Sequence, residues 1–279
     1  MLGIRSIKQH SVLSFYVLTV LISWGGMGLV IVRDGLPGDP AKLARMVPVM
    51  IVAMLAGPSV ACLVLTGMAQ GSAGYRELRA RLATWRLGIG WYAAALLTAP
   101  LVLTAVPLAL ALRVPGFVPR IFTEANKGPL LMMALAAGLA AGCCEELGWT
   151  GFVIPRLRAR WSALGTGVVV GLLWGFWHVP VNLMASSTPS GGLSLPGLLG
   201  SLLFSFGLLP AYRILMVWVW DHTGSLLLAM LMHFSLTAGN ITLGATAAPG
   251  MMAPIFVLAL TAGMWIVVAL SAFRSPGAL

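Results

Sequence analysis

The sequence predicts an all-α, polytopic membrane protein with about eight transmembrane helices in one bundle, a single domain over residues 1–279. Three observations carry this reading. Hydrophobic residues make up 59% of the chain and charged residues only 9%, against about 45–50% and about 25% in soluble domains. Apolar runs of about twenty residues, the length that crosses a bilayer, recur along the whole sequence. The basic residues behind the net charge of +10 sit in short links between those runs, not on one soluble face. They read as topology signals and lipid headgroup contacts, and nucleic acid is not an expected partner.

In chain order, Arg5 and Lys8 precede the run Ser11 to Val32 in the manner of a secretory signal. That run is longer than a signal core and ends without a small-residue cleavage site, so it is read as a retained first span. The spans expected are 12–32, 46–68, 89–112, 128–153, 162–183, 195–217, 224–246 and 252–272, with the motif-bearing core at about 128–246. The links carry Pro, Gly and Arg: Gly35 to Pro40, Gly71 to Arg86, and Arg113 to Lys127. Arg76 to Leu82 fits either a short interfacial helix or a solvated basic loop. The fourth span ends near 153 or runs on through Pro155 toward Arg160. The link at 184–194 is uncharged.

Counting Lys and Arg by side gives an orientation. With the N-terminus inside, Arg5, Lys8, Arg76, Arg79, Arg81, Arg86, Arg156, Arg158, Arg160, Arg213 and Arg274 face the same side, against Arg33, Lys42, Arg45, Arg113, Arg120 and Lys127 on the other. The expectation is a multi-pass protein of the plasma (inner) membrane with both termini cytoplasmic. Cys62, Cys143 and Cys144 all lie in apolar runs and read as packing residues, not as a disulfide, metal site or nucleophile.

Within the fourth span, Glu145 and Glu146 are two adjacent carboxylates at a depth where one costs on the order of 3 kcal/mol. An intramembrane carboxylate calls for a partner, and His178 and His233 lie inside two other spans. Gly138 and Gly142 share the face of Glu145; Gly167, Gly171 and Gly175 lead to His178, with Trp174 one turn before it; Ser225, Ala229, His233 and Thr237 recur every four residues. Small residues let helices approach closely in a bilayer, so each ionisable face is also a packing face, and contact between the fourth and fifth spans is expected. With a turn near Trp161, Glu145 and His178 fall at similar depth at about 1.5 Å per residue. His233 falls shallower, so tilt or a reentrant start has to close the gap. A carboxylate beside imidazoles can activate water, with the imidazoles holding it directly or through a metal, or stabilising an oxyanion. Glu146 reads equally as a structural carboxylate paired with Arg156 or Arg213. His10 and His222 fall at membrane ends and read as interfacial.

Three ordered motifs carry a resemblance. Glu145-Glu146-Leu147-Gly148-Trp149-Thr150-Gly151-Phe152, then Leu173-Trp174-Gly175-Phe176-Trp177-His178-Val179-Pro180, then His233-Phe234-Ser235-Leu236-Thr237 resemble the CPBP family of intramembrane proteases, the CAAX-processing and bacteriocin-immunity (Abi) group. The resemblance implies an eight-helix metalloendopeptidase in which Glu145 activates water and Glu146 is the second motif carboxylate. It implies that His178 and His233 position water or a divalent metal such as zinc, and that Thr237 occupies the place of the oxyanion-stabilising Asn. Thr150 stands where the family has Arg, so Glu146 lacks a guanidinium one turn away; Trp174 replaces Phe, and Thr237 offers a hydroxyl in place of an amide.

Two function classes follow. One is an intramembrane endopeptidase that hydrolyses a peptide bond of a membrane-associated or prenylated-type substrate, with membrane lipid and that peptide or protein as partners. The alternative is a non-catalytic immunity or scaffold protein that binds a peptide in the same cavity. A proton-coupled transporter also uses buried Glu and His, but no matching half-repeats occur in the sequence.

Overall fold

Apolar chain in a bilayer must satisfy its own backbone polar groups, which drives every long run here into helix. The computed structural model describes residues 10–35, 40–188, 192–244 and 250–274. Arg5, Lys8 and the link residues at 36–39 and 189–191, used above, lie outside the described residues. The helices are α1 (Ser11–Asp34), α2 (Pro40–Leu82), α3 (Ile89–Ala111), α4 (Arg120–Thr123), α5 (Lys127–Gly148) and α6 (Ile154–Arg158). They continue with α7 (Ala163–Trp177), α8 (Val179–Ala185), α9 (Leu195–Leu203), α10 (Leu209–Thr223), α11 (Leu226–Leu243) and α12 (Met252–Arg274). No strand occurs among the described residues. Seven helical runs are long and apolar enough to cross a membrane, or eight if α7 and α8 form one span bent by 50° at His178.

Two runs continue through a π-helical turn. Trp149–Val153 joins α5 to α6, and Phe204–Leu208 joins α9 to α10. The fourth span therefore runs on through Pro155 as far as Arg158. The sixth reaches Thr223, six residues past its expected end, where Gly224 (φ 61°) turns the chain in the left-handed conformation that glycine adopts without strain. In α2 the break falls at Gly71 (φ 58°, ψ −141°), and the basic segment beyond it is helical.

Prolines inside membrane helices free carbonyls that other helices must serve. Pro58 removes the donor that would reach Met54, and the Ser23 hydroxyl of α1 donates to the Met54 carbonyl instead, at 2.7 Å. The same Ser23 oxygen accepts from Trp177 Nε1 at 2.9 Å. Where α7 ends at the His178 bend, Trp24 Nε1 donates to the Trp177 carbonyl at 3.0 Å and the Tyr16 hydroxyl to that of Leu173 at 3.2 Å. α1 and α2 are thereby fixed against the bend that carries His178.

The glycine faces meet different partners from those expected. A Cβ at Gly138 or Gly142 would lie 2.7 Å from the Phe234 ring or 2.6 Å from the Met230 carbonyl oxygen, both on α11. One at Gly167 or Gly171 would strike Ile214 or Pro210 of α10, and one at Gly175 the Ser205 carbonyl in the second π turn. The small faces of the fourth and fifth spans thus pack on α11 and α10, not on each other. A periodic stripe tells that a helix is approached closely, and not by which neighbour.

The depth of His233 follows from a recessed start of its helix. The turn between α10 and α11 is recessed: Ser225 and Leu226 are fully buried, and the Ser225 hydroxyl donates to the Thr84 carbonyl at 2.7 Å. A Cβ at Gly151 would touch Leu226. Leu226 therefore lies level with a residue six past Glu145, and His233 is seven past Leu226 on an antiparallel helix.

Candidate active site

Glu145 and Glu146 end α5, where the π turn begins; a π turn inside a helix marks functional sites often enough to be informative. Because consecutive helical residues point about 100° apart, the two carboxylates enter different surroundings.

Glu146 is wholly enclosed and fully paired. Arg213 of α10, itself without exposed surface, grips it from two sides, Nη1 to Oε2 at 2.8 Å and Nη2 to Oε1 at 3.0 Å. The Thr150 hydroxyl, one turn on, donates to Oε2, and His233 Nδ1 lies 2.7 Å from Oε1. The guanidinium missing from position 150 is therefore supplied from position 213. Of the two partners weighed for Glu146, Arg213 is the one; Arg156 instead donates to the Phe152 carbonyl at 2.7 Å. Arg213, counted above with the link residues, lies inside the bundle. Such a two-point pair fixes orientation as well as charge.

Glu145 is held less tightly. Its Oε2 accepts from Trp174 Nε1 at 2.8 Å, and its Oε1 stands 3.8 Å from His233 Nε2. Trp174 is a residue whose weight the sequence understated: the indole N–H supplies a donor that a Phe in the same place lacks. Its ring also lies under the Arg213 guanidinium at 4.2 Å, and its carbonyl oxygen is 2.9 Å from His178 Nδ1. One residue thus touches Glu145, the guanidinium that pairs Glu146, and the second-motif histidine.

The histidine tautomers follow from their partners. A carbonyl oxygen can only accept, so His178 Nδ1 carries the hydrogen, and Glu146, already bound by Arg213, imposes the same on His233. As a neutral imidazole, each ring then presents a bare Nε2. The His178 and His233 rings lie 5.7 and 4.9 Å from that of Trp174. Glu145 Oε1 and His233 Nε2, two lone-pair bearers face to face, call for a proton, a water or a cation between them.

Glu145 and His178 form the polar end of a cavity of about 300 Å³ between α1, α2 and α8. Its walls are apolar and rich in methionine, with Met27, Met50, Met54 and Met184 beside Trp177 and Val181. Unbranched thioether side chains adapt to irregular occupants. Thr237 lies one turn beyond His233 on α11, half-buried, outside the cavity lining and without a hydrogen bond among the described residues. The structure brings Glu145, Glu146, His178 and His233 together, and no hydrogen bond joins Thr237 to them among the described residues. His10 and His222 are exposed, as expected of interfacial residues, His222 lying against Trp91 and Trp218.

Two imidazole nitrogens with a carboxylate are donors that zinc accepts, and histidines whose Nδ1 is engaged by an acceptor are typical of metal ligands. Among the described residues, however, no three His, Cys, Asp or Glu side chains are gathered closely enough to hold an ion. The donor chemistry fits a metal and the spacing does not.

Fold and site together define a class: a multi-pass helical membrane protein in which one carboxylate, Glu145, and one imidazole, His178, open on an apolar cavity. Residues 127–239 match the family described as Rce1-like, type II CAAX prenyl endopeptidase. The chain is also similar to a CAAX prenyl protease 2 from Methanococcus maripaludis, 26% identical over 108 residues that make up 39% of this chain and 40% of the relative. Both matches support the CPBP/CAAX protease family, and the family match covers the stretch that holds all three motifs. The matched stretch spans less than half of the curated relative.

Proposed function

We propose that this chain is an intramembrane endopeptidase that hydrolyses a peptide bond of a membrane-associated, prenylated-type substrate. The observation that carries the reading is the opening of Glu145 and His178 onto the end of a methionine-lined apolar cavity. An apolar group or extended apolar peptide fills the cavity, which sets the scissile carbonyl against its polar end. Glu145, oriented by the Trp174 N–H, takes one proton from a water whose other hydrogen is donated to a bare histidine Nε2. The oxygen attacks the carbonyl carbon, the C–N bond breaks, and Glu145 returns the proton to the leaving amine. Glu146, neutralised by Arg213, does not accept this proton; it holds His233 in the tautomer that leaves Nε2 free. The similarity of the matched stretch to CAAX prenyl endopeptidases supports the same substrate class.

His178 and His233 are the residues a divalent cation such as zinc would call on, and since no third donor is gathered with them among the described residues, no step above is routed through one. Cleavage of a prenylated CAAX-type peptide, with metal content measured on the same preparations, tests the assignment. Both His178→Ala and His233→Ala lose cleavage. If a metal serves the site, these two variants lose it and Glu145→Gln retains part of it. Full cleavage by either His variant would overturn the assignment.

The orientation proposed places both termini in the cytoplasm. The end of the bundle that carries Arg81 and Arg158 is also tied to α10, through Arg81 over the Trp220 ring at 5.1 Å and the Arg158–Asp221 pair at 2.8 Å. The arginine bias thus belongs to one end of the assembled bundle, and the positive-inside tendency assigns that end to the cytoplasm. A reporter fused after Arg160 is expected on the cytoplasmic side and one at Ser187 outside; the reverse pair would invert the assignment.

A further inference from the structure

A second cavity, of about 520 Å³, lies away from the methionine-lined one, between the start of α1 and the segment that follows the first π turn. Its lining combines His10, Arg156 and Arg160 with Trp161 and the apolar side chains of Leu13 and Leu157, and no acidic residue contributes to it. Arg158 of the same segment is paired with Asp221. Arg156 donates to the Phe152 carbonyl and, at 3.5 Å, to Gln70, lies over the Phe152 ring and has Glu77 nearby, itself paired with Arg81, while the Arg160 side chain makes no hydrogen bond or ion pair among the described residues.

From this basic mouth an apolar track runs along the outside of α1. Leu13, Val17 and Leu21 follow at intervals of four and are 62%, 48% and 65% exposed, so they form one continuous outward stripe. Trp161, 45% exposed, stands at the mouth, and an indole at a membrane end is at home at headgroup level. Charge above, an interfacial indole beside it and an apolar stripe below match one kind of molecule from top to bottom.

We propose that this cavity is a binding site for an anionic glycerophospholipid, with its phosphate between Arg156 and Arg160 and one acyl chain along Leu13, Val17 and Leu21. Charge complementarity selects an anionic lipid over a zwitterionic one, because Arg160 has no acidic partner among the described residues and Glu77, the carboxylate near Arg156, is paired with Arg81, and basic pockets between membrane helices take such headgroups. A free phosphate would satisfy the mouth and leave the track bare. Arg156 also holds the Phe152 carbonyl at the end of the π turn, so the bound headgroup touches the segment that follows Glu145 and Glu146. The site is independent of the hydrolase assignment, and its test involves no cleavage.

Native mass spectrometry of the full-length protein in detergent, titrated with phosphatidylglycerol, phosphatidylcholine or inorganic phosphate, reads this directly. Wild-type protein is expected to retain phosphatidylglycerol in preference to phosphatidylcholine. The Arg156→Gln, Arg160→Gln double variant should lose affinity for phosphatidylglycerol on the order of thirtyfold. Arg113→Gln, an equal kind of charge change in a different link, should lose little. Arg160→Gln alone breaks no protein contact and should give part of the loss, which separates binding from folding. Equal retention of both lipids, undiminished phosphatidylglycerol binding in the double variant, or competition by inorganic phosphate at concentrations similar to the lipid would each overturn the proposal.

Discussion

Glu145→Gln is expected to lower cleavage by about 10²–10⁴-fold with little change in thermal unfolding in detergent. The amide oxygen of Gln still accepts from Trp174 Nε1, which holds Glu145 at 2.8 Å. The amide NH₂ then meets the bare His233 Nε2 that now stands 3.8 Å from a carboxylate oxygen. The substitution therefore replaces two facing lone pairs by a donor and an acceptor, and removes only the capacity to take a proton from water. Equal loss of stability and activity would mean that Glu145 is a packing or pairing residue.

Arg213→Met should have the largest effect on stability. It leaves the Glu146 carboxylate enclosed with only Thr150 and His233, and breaking a buried ion pair from one side costs about 3–5 kcal/mol. Activity should fall with it, because Glu146, which fixes the His233 tautomer, loses the counter-charge that holds it in place. Thr150→Arg in the same chain returns a guanidinium to the position one turn from Glu146, into space that Arg213 vacates, and should recover part of the stability. Chemical or thermal unfolding of the three proteins in one detergent checks this. Wild-type stability in Arg213→Met would show that Glu146 does not depend on that pair.

Much of the fold was legible because a bilayer leaves few choices: apolar length set the number of spans, and isolated charge within them marked Glu145, Glu146, His178 and His233. What escaped the sequence depends on three dimensions. Arg213 was placed near a span end because charge usually bounds a membrane helix, yet the π turn at 204–208 and the extension to Thr223 carry it into the interior. Trp174 passed as a bulky aromatic, since spacing cannot say where an indole N–H points. The approach of His233 looked too shallow because a buried turn at Ser225 and Leu226 is not written in the hydropathy. The glycine stripes showed which faces are close-packed but could not name α11 and α10 as their neighbours.

The central claim is that a water activated at Glu145 hydrolyses a peptide bond at the end of the methionine-lined cavity. The most direct measurement is incubation of the purified protein in phospholipid vesicles with a prenylated CAAX-type peptide in H₂¹⁸O, followed by mass spectrometry of the products. Two fragments are predicted, with a single ¹⁸O in the newly formed carboxylate, and neither fragment should form with Glu145→Gln. Recovery of bound but intact peptide from the wild type, or labelled product at the same rate from Glu145→Gln, would contradict the account; intact bound peptide would leave a peptide-binding immunity or scaffold protein in its place.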